Sequence, residues 1–335
     1  MGSIRLKPGE LVSSLSEVVG YKSGLALSRD VIVEGLSDTD YLDLLTDSDN
    51  EPVRVGSDEF QSMFIELLYR VGNIPSPRDE FPTTALFQKY KGRREKIKKL
   101  ENVIEMLTAN GDRYMPAHED FDTVSFLLDV SKLHGVGGVR IALDLIREIN
   151  AFIHRNPWAG FRLMEWKDTK DLADLFGSES LTTFYGTFLD QRFIDYLYRN
   201  FDEIDRINWR KFEGLAAEFF DRSGLAVEIG SGRNDGNIDV RVWPKDNALT
   251  QPPLILVQCK REKRRIGKVV VKALYADILD EGAKSGLIVT TTSLSPGAEK
   301  VCKARGYPIA QADRSTLRDW IEALRSPGTG VFLGV

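Results

Sequence analysis

The chain of 335 residues contains only two cysteines, Cys259 and Cys302, and three histidines. That leaves no disulfide framework and no zinc-type ligand cluster. No apolar run approaches the roughly 18 residues of a membrane-spanning helix, so no membrane partner is expected. The opening MGSIRLKPGE lacks the apolar stretch of a secretory signal, which points to the cytoplasm. Also missing are the phosphate-binding pattern G-x-x-x-x-G-K-[ST] and the H-E-x-x-H and G-x-S-x-G signatures. Any ATP-driven step would therefore need a separate protein. There is no repeat, low-complexity tract or flexible linker.

What is present divides near residue 208. An apolar content of 42% suffices for real cores, and the length predicts two domains, residues 1–207 and 208–335. The net charge of −5 conceals an asymmetry: 25 basic and 35 acidic residues before Asn208, then 20 basic and 15 acidic from it onward. A basic second part behind an acidic first part suits a protein of which one part meets a polyanion.

Residues 1–207 read mainly as helices. DEFQSMFIELLYRVGN (58–73) has apolar residues at Phe60, Met63, Phe64, Leu67 and Leu68, the spacing of an amphipathic helix. GRREKIKKLENVIEMLTANG (92–111) continues the pattern, and two further helices meet near Gly135 to Gly138. Residues 181–207 read as one long aromatic helix, and DVIVEG (30–35) as a strand. From Asn208 the reading is α-β-β-β-α-β-α-β-α: a helix with Asn208 as N-cap and Gly224 as stop, then strands at 225–230, 238–243, 254–260 and 286–292, and a short extended stretch at 307–313. Three strands in a row followed by crossovers predict a mixed sheet flanked by helices.

The stretch LILVQCK (254–260) ends its apolar run with an amide and an ammonium on one face, because side chains alternate along a strand. The same alternation pairs Asp239 with Arg241, opposite Ile238, Val240 and Val242. An antiparallel hairpin would bring Asp239 towards Gln258 and Lys260. That trio suits a hard divalent cation and a water: Asp239 and Gln258 supply oxygens, and the backbone carbonyl of Cys259 can add a third. Lys260 would hold or deprotonate the water, or shield charge in the transition state of phosphodiester hydrolysis. Glu213, on the preceding helix, is the candidate second carboxylate. Asp235 fits a turn-capping role, and Cys259 a small core residue. The run KREKRR (260–265) places Arg261, Lys263, Arg264 and Arg265, with Lys268 beyond, where they can hold a phosphate backbone. The second basic stretch, 89–99, reads as a solvated helix face that could also touch DNA.

Phe212-Glu213, Asp235-Gly236-Asn237-Ile238-Asp239, Gln258-Cys259-Lys260 and Val289-Thr290-Thr291 stand in the order and spacing of one family. In them, about 120 residues from Asn208 onward resemble the catalytic domain of Mrr-type restriction endonucleases, of the PD-(D/E)XK nuclease superfamily. Gln258 is the family's own choice where most of the superfamily has Glu, while Asn237 departs from a common second glycine. The resemblance implies a restriction-endonuclease-like fold, Mg²⁺ (or Mn²⁺ in its place) as cofactor, DNA as partner and endonucleolytic cleavage in restriction or antiphage defence. Residues 1–207 carry no motif that assigns them to a family, and no winged-helix reader is visible in them. Their expected role is recognition, regulation or oligomerisation. The alternatives are an effector nuclease triggered by a ligand or partner bound there, a non-cleaving DNA-binding module, or a repair or junction nuclease. Cutting both strands would favour a homodimer.

Overall fold

The computed structural model describes residues 2–46, 51–115, 121–232, 238–247 and 251–325. The first part is helical, as read. Helices α1 (Pro8–Ser23) and α2 (Ser57–Arg70) pack through Leu11, Leu15, Val19, Met63, Phe64 and Leu67. Helices α3 (Arg94–Ala109) and α4 (Thr123–His154) build a separate cluster around Leu100, Val103, Phe126, Val130 and Ile141. Within α4, Gly135 has φ +61°, which interrupts the helix where the glycines predicted a joint.

Two expectations for this part are overturned. DVIVEG is not a strand but lies in the helix Arg29–Gly35. Its Val and Ile suggested β structure, but Ser28 accepts a hydrogen bond from the Val31 N–H and starts a helix. The long helix over 181–207 is also absent. Only α5 (Gln191–Arg199) and a short 3₁₀ turn at Phe201–Asp205 are helical, and α5 begins where Asp190 caps the Arg192 N–H at 3.0 Å. Ahead of it, Gly186 has φ +151°, and a Cβ there would lie 2.1 Å from the Leu189 carbonyl oxygen.

The second part has the predicted order. Helix α6 (Trp209–Arg222), N-capped by Asn208, leads into β1 (Leu225–Ile229), β2 (Val240–Pro244) and β3 (Ile255–Lys260). Then come α7 (Lys268–Asp280), β4 (Ser285–Thr290), α8 (Pro296–Arg305), β5 (Ile309–Ala312) and α9 (Arg314–Arg325). The five strands form one sheet in chain order, antiparallel across β1, β2 and β3 and parallel across β3, β4 and β5. Val240, Val242, Val257, Val289 and Ala312 pack with α6 and α9. Leu256 and Ile288 pack in the cluster of Val271, Leu274, Ile278 and Ala298 from α7 and α8.

The composition changes at Asn208, yet the core runs straight through. One cluster joins Leu11 and Phe64 to Phe193, Ile207, Phe212, Val240 and Trp320. The tie at its centre is polar. Glu218 of α6, fully buried, accepts from the backbone N–H groups of Thr187, Phe188 and Leu189 at 3.0, 2.5 and 3.0 Å and from Arg222 Nε at 2.7 Å. This carboxylate takes the place of helical bonds in the 186–189 segment. Glu218→Ala would strand three N–H groups and take from Arg222 its ion-pair partner, so it should cost about 3–5 kcal/mol in urea unfolding. A loss below about 1 kcal/mol would show that the segment does not depend on it.

Candidate active site

Helix α6 is buried on nearly every side, and Glu213 with it. Its carboxylate accepts from Arg210 Nη1 at 2.7 Å, one turn earlier on the same helix, and is hydrogen-bonded to the Asp239 carboxyl. Burial, and then the neighbouring Asp239 charge, push the Glu213 pKa up from the ordinary carboxylate range, against the pull of Arg210.

Asp239 sits where β2 leaves its ladder. The last paired residue is Val240, opposite Val257. The Asp239 N–H bonds the Val257 carbonyl at 3.0 Å, one residue out of that register, and its own carbonyl accepts from the Gly230 N–H at 2.9 Å. Its carboxylate then accepts the Cys259 N–H at 2.6 Å. Strict alternation therefore fails at this point. Ile238 lies in the α7–α8 cluster while Val240 faces α6. Arg241 is bound bidentately by Glu281 just beyond α7, at 2.8 and 2.6 Å, so Asp239 and Arg241 do not share the environment expected of them. The slip in register is what turns Asp239 towards Glu213.

Gln258 is 3% exposed in the central strand β3, its Cα opposite Ile288, and its Oε1 has no hydrogen-bond partner. A buried acceptor without a donor is costly. Cys259 is half-buried, and its thiol pKa is pushed well up, by burial first and then by the Asp239 and Glu213 charges. It is thus a neutral neighbour of the carboxylates, as a small core residue would be. Lys260, half-buried, ends β3 beside Thr290. Thr290 Oγ1 donates to the Lys260 carbonyl at 2.8 Å and Thr291 Oγ1 to that of Glu262 at 3.2 Å, so these hydroxyls hold the strand end and the loop after it. Arg261, Lys263, Arg264, Arg265 and Lys268 are all exposed, with Arg261 donating to the Asp205 carbonyl at 2.7 Å. Asp235, Gly236 and Asn237 lie outside the described residues. Sequence reasoning did not single out Arg210, although its three-residue spacing from Glu213 on a helix was a usable signal.

Glu213 and Asp239, two carboxylates in contact, are oxygen donors of the kind a hard divalent cation takes, and Gln258 on β3 carries a further oxygen without a partner. Among the described residues no group of three or more His, Cys, Asp or Glu gathers that could hold a metal ion by itself.

Fold and site together define an α/β domain with acidic residues gathered at the end of a mixed sheet. Residues 204–321 match the family model of the Mrr catalytic domain, described as a restriction endonuclease. A curated protein of Sinorhizobium fredii (strain NBRC 101917 / NGR234), the uncharacterised y4cE, is 27% identical over 97 residues, which cover 29% of this chain and 25% of that one. The chain thus spans about a quarter of the length of this relative. Among solved structures, the MspJI restriction endonuclease in complex with a 27-mer oligonucleotide is matched at 19% identity, over 63% of this chain and 48% of that one, with a TM-score of 0.29. No helix among the described residues is long and apolar enough to cross a membrane.

Two carboxylates in contact, Glu213 buried and Asp239 half-buried, repel when both are ionised, and a cation between them would remove that cost. Asp239→Asn keeps an acceptor for the Cys259 N–H while deleting one charge. In EDTA it should melt at or above the wild-type temperature, whereas the upward shift that MgCl₂ gives wild type should vanish. An equal Mg²⁺-induced shift in both proteins would remove Asp239 from the cation site.

Proposed function

We propose that the chain is a Mg²⁺-dependent DNA endonuclease that hydrolyses phosphodiester bonds in restriction or antiphage defence. The observation that carries this reading is the contact of the buried Glu213 carboxyl with the half-buried Asp239 carboxyl, which also accepts from the Cys259 N–H next to the unsatisfied Gln258. Such an arrangement is unfavourable by itself and becomes favourable around a cation. The family match of residues 204–321 supports the reaction class.

In this reading Asp239, Gln258, Glu213 and the Cys259 carbonyl hold Mg²⁺, with Mn²⁺ a substitute. The bound ion would supply an acidified water and neutralise charge on the scissile phosphate. Asp239 is kept in orientation because one of its oxygens already accepts from the Cys259 N–H. Arg210 limits the charge that Glu213 presents. Lys260 takes a proton from the attacking water or balances charge on the pentavalent phosphorus. Arg261, Lys263, Arg264, Arg265 and Lys268 grip the DNA backbone without reading sequence.

A second reading makes this nuclease an effector governed by residues 1–207. It is favoured by Glu218: the helix that carries Glu213 also clasps the 186–189 segment, so a shift in that segment would reach the site. Residues 1–207 and 208–335 are then regulatory and nuclease parts of one body.

The test is supercoiled plasmid with MgCl₂. Wild type should nick or linearise it, EDTA should abolish cutting, and Lys260→Ala should lower the rate by about 10²–10⁴. Equal cutting by variant and wild type discards the role of Lys260. Retardation of the plasmid with no metal-dependent cutting by wild type would leave a DNA-binding module.

A further inference from the structure

Positive charge in the α3–α4 unit is sharply segregated. Between Lys89 and Lys99 there are seven basic residues and one acidic, against four basic and nine acidic over residues 100–154. A merely solvated helix face mixes its signs; this one does not. Lys91, Arg93, Arg94, Lys96 and Lys98 are exposed and Lys99 is half-buried, and none of the six has a carboxylate partner among the described residues. Lys89 alone is neutralised, by Asp144 at 3.0 Å. The placement also works against the helix. Arg93 is the N-cap of α3 and Arg94 and Lys96 lie in its first turn, where the macrodipole disfavours cations. Glu95 is the only acidic residue there to offset them.

These charges border a hollow of about 410 Å³ between α3 and α4, walled by Tyr90, Lys96, Lys99, Gly137, Arg140 and Arg147. The Lys96 ammonium lies 5.3 Å from the centre of the Tyr90 ring. A side chain at Gly137 would put its Cβ 2.8 Å from Lys99 Nζ, so glycine leaves that ammonium open to the hollow. Asp144, the main acid on the wall, is already shared by the Tyr90 hydroxyl, Lys89 and Arg147.

We propose that this basic face, from Lys91 to Lys99 with Arg140, is a second DNA-binding surface that holds duplex phosphates outside the nuclease site. Charge that extends along a loop and a helix turn well past the hollow fits a row of phosphates better than one small anion. The contacts are to the backbone, so they anchor the duplex independently of sequence. The choice of DNA as the polyanion rests on the function proposed above. Binding is read without metal, so the outcome does not depend on cleavage.

The experiment is fluorescence anisotropy of the full chain with a short labelled duplex in EDTA, from about 50 to about 200 mM salt. Against wild type, Lys96→Ala/Lys99→Ala/Arg140→Ala should bind at least about tenfold more weakly. The log–log salt slope should be shallower by roughly 0.9 for each phosphate contact removed. Lys91→Ala/Lys98→Ala, on exposed positions, should move both quantities the same way and guards against a folding defect in the triple variant. Wild-type affinity and slope in both variants overturn the proposal. So does thermal protection by ATP that the triple variant loses while its duplex binding is unchanged, since that identifies a free-nucleotide pocket.

Discussion

Helix α6 is enclosed on almost all sides, and it carries Lys211, Glu213 and Glu218 into that enclosure. A charge removed from water must find a partner, and the surroundings of α6 are arranged to supply one for each. Glu218 takes three backbone N–H groups and Arg222. Lys211, its pKa lowered by burial, donates to the Ser180 carbonyl. Glu213 has Arg210, but its other neighbour is a second carboxylate, Asp239. Two of the three charges are thus satisfied by the fold itself. The third leaves an electrostatic imbalance at the sheet end, where a cation would be accommodated.

The central strand fixes where that imbalance lies. Up to Val257, β3 is apolar on both faces and paired on both edges, by β2 on one side and β4 on the other. Beyond Val257 the β2 ladder has run out, and the Asp239 carboxylate replaces the missing backbone acceptor for Cys259. The carboxylate therefore belongs to the sheet as much as to the site. Its position is set with the accuracy of strand pairing rather than that of a loop.

Much of this was legible in the chain. The period-two runs, the Asn208 cap and the spacing of Phe212-Glu213, Ile238-Asp239 and Gln258-Cys259-Lys260 predicted the order of elements from 208 onward and the mixed sheet. What escaped was governed by contacts distant in sequence. The 181–190 segment has helical composition, yet Glu218, some thirty residues later, claims its N–H groups. In the 30–35 stretch a local cap at Ser28 outweighed β-branched composition. The turn of Asp239 away from Arg241 depends on a one-residue slip against β3, which no alternation rule contains. Local patterns thus predicted elements well, and failed where a single buried polar group overrode them.

The unbroken apolar cluster from Leu11 to Leu324 bears on how such a protein could arise. A catalytic unit exchanged between genes as a portable module needs a seam that water can wet. No such seam follows Ile207, which is itself fully buried. Recombination at the compositional border would strip Phe212, Phe220 and Trp320 of neighbours such as Ile204 and Phe193. The helical half has thus become part of the housing of α6, and the two halves are bound to change together.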